Sequence, residues 1–318
     1  MNFDFFPLRF EFVARESLFF PPGKAANTLR GALGVMFRRI ACVPQCVRAE
    51  TCEIRSSCPY AKIFEPTMTH HGTGEGPSPS GLSDWPRPFV FRARHLDGRT
   101  VDAGERFWFD LHVFSLDGAA IAYFIQTFDA LGEEGLGPGR GRADLVRVCT
   151  IPLAGMPSQP VYERSQQMIT AKLVPASIDL GPRCSPPRRI RVDFLSPTEL
   201  KHHHKIARRP DFPILFGRLR DRISTLRSLY GCGPLEIGFE ESNTRAATVQ
   251  MIRCDIRREE SERRSTRTGH SHSIGGFVGS AEYEGDFAEF LPYLEIGRWT
   301  GVGRQVVWGK GEIAVRPV

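Results

Sequence analysis

The chain has 318 residues, 41% hydrophobic and 25% charged, with 42 Lys and Arg against 36 Asp and Glu for a net charge of +6. That length predicts two domains, each with its own core, and the composition is that of a globular protein. With no run of about 18 apolar residues it excludes a membrane-spanning helix and a membrane partner. The opening MNFDFFPLRFEF lacks the basic end, continuous apolar centre and cleavage site of a secretory signal, so a cytoplasmic location is expected.

Leu8 to Val13, LRFEFV, reads as a strand, and from Lys24 onward apolar residues recur at Leu29, Leu33, Met36 and Ile40 with a helical period. Behind that helix, CVPQCVRAETCEIRSSC places Cys42, Cys46, Cys52 and Cys58 as C-x3-C-x5-C-x5-C. Clustered thiols in a reducing compartment point to a structural metal, zinc ahead of an iron–sulfur cluster, because thiolates select both. The spacing is not that of two C-x2-C knuckles, and reduced cysteines packed as small hydrophobes are the other reading.

Next comes THHGTGEGPSPSGLSDWPRP, whose Gly, Pro and Ser density predicts an irregular excursion in which His70 and His71 are inert. Phe89 to His95 and Arg106 to Phe114 read as strands. Ile121, Phe124, Phe128 and Leu131 share one helical face, and Ala143 to Thr150 reads as a last strand. Strand, helix, strand, strand, helix, strand is the split βαβ, ferredoxin-like order.

Pro152 to Pro160 reads as a connection, and the order then repeats. Arg189 to Leu195 is strand-like, and Leu215, Leu219, Ile223, Leu226 and Leu229 form a helical stripe. Thr248 to Arg257 and Ile274 to Tyr283 are strand candidates, a short helix is expected over Phe287 to Leu294, and Glu312 to Val315 closes the set. The prediction is an α+β protein of two ferredoxin-like (split βαβ, RRM-like) domains in tandem. Residues 1–151 would form the first, with the cysteine-rich insertion, and residues 161–318 the second, with a glycine-rich loop.

That loop is GVGRQVVWGKG, in which Gly301, Gly303, Gly309 and Gly311 allow backbone to approach a phosphate while Arg304 and Lys310 add charge. It is no P-loop, since no Gly-Lys-Ser/Thr ends it. GLGPGRGR in the first half follows a helix and is no dinucleotide-binding fingerprint. Between Arg183 and Arg209 eight basic residues stand against Asp193 and Glu199, a candidate polyanion footprint or a merely solvated face.

The two Gly-x-Gly pairs near the C-terminus, the upstream IGGFVGSAEYEG, NTLRGALG in the first helix and the doubled domain order together resemble the CRISPR-associated RAMP proteins. Over nearly the whole chain the resemblance is to the precursor-crRNA-processing endoribonucleases of the Cas6 type. It implies CRISPR repeat RNA as partner, with other CRISPR effector subunits alongside, and a reaction without a catalytic metal. The ribose 2′-hydroxyl attacks the adjacent phosphate, leaving a 2′,3′-cyclic phosphate and a 5′-hydroxyl. It also implies that the glycine loop lies against the RNA.

Such a reaction needs a base for the 2′-hydroxyl, an acid for the leaving oxygen and cations for the phosphorane. Relatives often carry a histidine in or near the first helix, whereas residues 14–60 contain none. The candidates are therefore His270 and His272 in RRSTRTGHSHSIGG, flanked by Arg264 and Arg267 as RNA contacts, or Lys24 and Arg30 where the first helix begins. Arg38 and Arg39 either touch RNA or simply complement the helix C-terminus. His202, His203 and His204 stand behind these. A non-catalytic crRNA-binding subunit of an effector complex is the alternative function. A metal-dependent enzyme built on the cysteines lacks any supporting carboxylate or histidine motif.

Overall fold

The computed structural model describes residues 1–43, 45–46, 51–66, 85–153, 155–166, 168–169, 173–203, 205–260, 262–264, 271–273 and 275–318, with only the backbone of 168–169, 262–264 and 271–273. These residues form two compact units. One holds Asp4–Ala176 with Leu229–Cys232, and the other Met1–Phe3, Ser177–Ser228 and Gly233–Val318.

In the first unit the elements run β1 (Asn2–Ala14), α1 (Ala25–Ala41), α2 (Pro59–Phe64), β2 (Phe89–Arg92), β3 (Arg106–Val113), α3 (Ala119–Glu134), β4 (Ala143–Thr150), β5 (Pro160–Glu163) and β6 (Met168–Ile169). The sheet order is β2-β3-β1-β4 with β5 and β6 added beyond β4, and the neighbouring strands are antiparallel. Alternation along β1 and β3 sends Phe10, Phe12, Phe107 and Phe109 to one face, where α1 contributes Leu29, Leu33 and Phe37 and α3 contributes Phe124 and Phe128. Phe128 sits 4.8 Å from Phe109 and 5.1 Å from Phe10, ring to ring. Such pairs add about 0.5–1.5 kcal/mol each beyond the area they bury. Helix α3 lies close on β4, because a Cβ at Gly132 would stand 2.3 Å from the Ala143 carbonyl oxygen.

The second unit runs β7 (Arg189–Thr198), β8 (Lys201–His202), β9 (Lys205–Ile206), α4 (Phe212–Tyr230), α5 (Phe239–Ala246), β10 (Gln250–Glu259), β11 (Glu262–Arg264), β12 (Ser271–Ser273), β13 (Gly276–Glu284), α6 (Leu291–Thr300) and β14 (Ile313–Pro317). Its main sheet is ordered β10-β13-β7-β14, all antiparallel. Ile190, Val192 and Phe194 of β7 face a core completed by Phe212, Phe216, Leu219 and Ile223 of α4 with Phe290 and Ile296. Numbered within their own repeats, both main sheets read 2-3-1-4. The fold is thus a tandem of ferredoxin-like sheets, as the element order predicts.

Several details differ from the sequence expectation. Helix α6 begins at Leu291 instead of Phe287, since Pro292 is tolerated only in a first helical turn, where its missing N–H is not needed. Helix α5 has no apolar stripe to announce it: of its eight residues only Ser242 and Ala246 are buried. The segment after β4 is held to the sheet, with Thr150 N–H donating to Gln159 and Ser158 Oγ to Thr150, and it leads into β5. Residues 69–84 of the expected excursion lie outside the described residues. Among the described residues no helix is long and apolar enough to cross a membrane.

Candidate functional site

Helix α1 carries the first group of candidates. Lys24 is its N-cap residue, exposed, with a side chain that makes no capping bond. The first free N–H of the helix, that of Ala25, is met instead by Asp97 Oδ1 at 2.9 Å. A carboxylate brought from 72 residues downstream thus already answers part of the positive end of the dipole. The Lys24 ammonium itself stays available.

Arg30 is half-buried, its guanidinium 5.8 Å above the Phe64 ring. Arg38 donates from Nη2 to the Cys46 carbonyl at 3.2 Å. Arg39 is exposed and paired with Glu134 at 2.8 Å, so its charge is spent within the protein. Arg38 and Arg30 converge on Tyr60 of α2, whose phenol is pushed up by burial and by Glu65 while the two guanidiniums oppose the rise. Tyr60 stacks on Phe64 with ring centroids 5.2 Å apart. The structure therefore gathers two arginines and one hydroxyl on the α1–α2 pair. In sequence Tyr60 had only its place at the far end of the cysteine segment to suggest it.

Of the four cysteines, Cys42 packs against Cys58. Cys42 follows the last turn of α1 and Cys58 precedes Pro59 at the start of α2, so the pair brackets the connection. Burial pushes the Cys42 thiol up to about 12, with the neighbouring Cys58 and Cys46 thiols adding to the rise. Cys46 is raised by burial and then by Cys52. All four are free thiols, Cys58 buried and the rest half-buried. Among the described residues no three ligating groups stand converged as a metal-holding set. Burial first, and the neighbouring thiols after it, disfavour the thiolate here, with Arg38 opposing the rise at Cys46.

His270 and Arg267 lie outside the described residues. His272 is on β12, opposite Arg263 of β11, and Arg264 is opposite Ser271, so the expected turn is a two-stranded ladder at this point.

The glycine loop follows α6. Gly301, Gly303, Gly309 and Gly311 all have positive φ, 70°, 82°, 78° and 65°. The loop is not an open cradle, however. The N–H groups of Gly301, Val302, Arg304, Trp308, Gly309 and Gly311 all donate to carbonyls of the same unit, at 2.8–3.0 Å. Lys310 is only 5% exposed, out of reach of a phosphate. The Arg304 guanidinium is bound to the buried carboxylate of Glu199, and its N–H donates to the Glu199 carbonyl at 3.0 Å. In place of the open platform expected, the loop has these N–H groups bonded internally, Lys310 buried and Arg304 paired with Glu199. Glycine is required here because backbone packs on backbone, and Glu199, one of two acids in the basic tract, is the partner that sequence reasoning passed over.

Residues 3–174 match the family model AF_1859_N, an N-terminal domain, and residues 192–313 match CRISPR_Cas6, the CRISPR-associated endoribonuclease Cas6. No curated protein matches the chain in sequence. Among solved structures, a Cas6 product complex is similar at TM-score 0.54 and 16% identity, over 99% of this chain and 100% of that one. Thermus thermophilus Cas6 is similar at TM-score 0.51 and 15% identity, over 99% of each chain. A partial Cas6-RT-Cas1–Cas2 complex gives TM-score 0.56 and 11% identity over 98% of this chain and 46% of that one.

Proposed function

Since the chain belongs to the Cas6 family of CRISPR-associated endoribonucleases, its first half of the AF_1859_N kind, we propose that it cuts CRISPR repeat RNA in precursor transcripts with the basic residues of α1. The observation that carries this reading is the Cas6 match across residues 192–313, which runs from within β7 to the first residue of β14 and so takes in most of the second ferredoxin-like sheet. RNA is the partner, and other CRISPR proteins are its company. The nucleophile is supplied by the substrate: the 2′-hydroxyl displaces the 5′-oxygen at the neighbouring phosphorus. The bond to the 2′-oxygen forms, the bond to the 5′-oxygen breaks, and the products are a 2′,3′-cyclic phosphate and a 5′-hydroxyl. The protein has only to stabilise charge on the phosphorane and see two protons moved.

Lys24 supplies an exposed ammonium without a capping bond, and Arg30 a guanidinium on the same helix. These two are the proposed transition-state cations, with Arg38 and the Tyr60 hydroxyl beside Arg30. The alternative to these α1 residues is a proton-transfer role for His270 or His272 of the second unit, with Arg264 and Arg267 as RNA contacts. The reaction should run in excess EDTA, releasing a 5′-hydroxyl fragment from labelled repeat RNA. Binding without cutting would favour the non-catalytic subunit instead.

The cysteines serve stability in this reading. Cys42, Cys46, Cys52 and Cys58 would hold a structural zinc ion, which joins the end of α1 to the start of α2 and reinforces the packing of Phe64 on Phe37 there. Elemental analysis should find about one zinc per chain. Cys46→Ser should lower the thermal midpoint while leaving the cleavage products unchanged. Metal-free protein with the wild-type midpoint would remove the ion from the account.

A further inference from the structure

The segment between β7 and α4 carries Lys201, Lys205, Arg208 and Arg209 within nine residues, of which only Arg209 has an ion-pair partner among the described residues. Strands β8 and β9 pair as a small hairpin, Lys201 opposite Ile206 and His202 opposite Lys205, with His203 at the turn in the left-handed region at φ 46°. Both ends are anchored. Ala207 N–H donates to the Leu200 carbonyl at 2.8 Å, the fully buried Tyr283 hydroxyl donates to the Pro210 carbonyl at 2.6 Å, and the glycine loop grips Glu199 two residues before the hairpin. Such anchoring fixes an exposed loop without spending its charges.

Beside the hairpin opens a groove of about 520 Å³, walled by His202, His203, Lys205, Arg208, Arg209 and Asp211. Its one carboxylate, Asp211, approaches Arg209 at 3.9 Å, and among the described residues Lys205 and Arg208 have no ion-pair partner. The His202 and His203 rings lie 4.0 Å apart on the exposed side. His202 is held below its ordinary pKa by burial and then by His203 and Arg218, against the pull of Asp211. Exposed cations without counter-charges track a phosphate backbone, and adjacent flat rings accept bases of any sequence by stacking.

We propose that this groove binds single-stranded RNA through its phosphates, as a contact surface distinct from the α1 residues assigned to cleavage. The glycine loop then also acts through Glu199, as the footing of the hairpin. The proposal rests on the reading of the chain as an RNA-cutting enzyme, and its test must fail separately from that reading.

The probe is a fluorescein-labelled poly(U) 20-mer, titrated by anisotropy from about 50 to 300 mM KCl with wild type, with Lys205→Ala/Arg208→Ala, and with the charge-matched control Arg94→Ala/Arg106→Ala. Repeat RNA is titrated in parallel. Loss of two phosphate contacts should make the slope of log K against log salt shallower by about 1.4 and weaken binding at low salt about tenfold or more, with the control pair unchanged. Thermal midpoints check folding, and Lys205→Gln/Arg208→Gln, with the same expected shift, replaces any variant whose midpoint falls. An unchanged slope, an equal shift in the control pair, or binding of repeat RNA without poly(U) overturns the groove. Wild-type protein that binds neither RNA overturns the function on which it rests.

Discussion

Lys24→Ala and Arg30→Ala should each lower single-turnover cleavage of repeat RNA by about 10²-fold or more, while affinity for that RNA stays within a few-fold. The size follows from where the charge is needed. A phosphate diester carries one negative charge in the ground state and gathers another as the phosphorane forms, so a fixed cation gains most at the transition state. Lys24 gives the cleaner experiment, because it is exposed and its side chain caps nothing, so its removal takes no fold stability with it. Arg30 covers the Phe64 ring, and its variant needs a thermal midpoint measured alongside. The wild-type rate should climb through pH 6 to 8 without the bend near 6.5 that a histidine in the proton path imposes. Loss of cleavage in His270→Ala or His272→Ala, with Lys24→Ala cutting normally, would move the chemistry to the second unit.

The reach of the sequence into this fold follows physical lines. Where one face of an element meets a core, the period shows: Phe10 and Phe12 alternate on β1, and Leu215, Leu219, Ile223 and Leu226 repeat on α4. Helix α5 and strand β5 make few such contacts, so their residues carry little pattern. The candidate site was legible by residue type and illegible by partner. Arg304, Arg39 and Arg38 are equally basic as letters, yet one is bound to Glu199, one to Glu134 and one to a carbonyl of the cysteine segment. The two carboxylates lie 105 and 95 residues away, and no local window contains them. Asp97 over the first turn of α1 is the same case, a turn residue in sequence and a helix cap in space.

The glycine loop posed the opposite problem, since the glycine that lets a phosphate approach and the glycine that lets another strand approach look alike in sequence. Substitution separates them. At Gly311 a Cβ would stand 2.0 Å from the Val302 carbonyl oxygen, and at Gly303 2.3 Å from that of Glu199, both with φ in the left-handed region. Neither obstacle is a flexible side chain, so the backbone itself must move. The unfavourable φ costs about 1–2 kcal/mol and the displaced packing roughly 1–3 more, so each alanine should cost about 3 kcal/mol. The midpoint of the second unit should fall by about 6–12 °C. Gly31→Ala, on the open side of α1 with nothing within 4 Å, should cost nothing and gain up to about 1 kcal/mol from helix propensity. RNA binding measured well below the lowered midpoint decides the role of the loop. Gly311→Ala should bind poly(U) with the wild-type salt slope, because its N–H is already given to the Pro197 carbonyl and no phosphate contact is lost. Gly303→Ala presses directly on the Glu199 carbonyl, the footing of the β8–β9 hairpin, and should weaken binding through that displacement as well as lowering the midpoint. An unchanged midpoint in both variants with weakened binding in both would mean that the loop holds RNA with its own backbone, and that its internal hydrogen bonds give way to phosphate when RNA arrives.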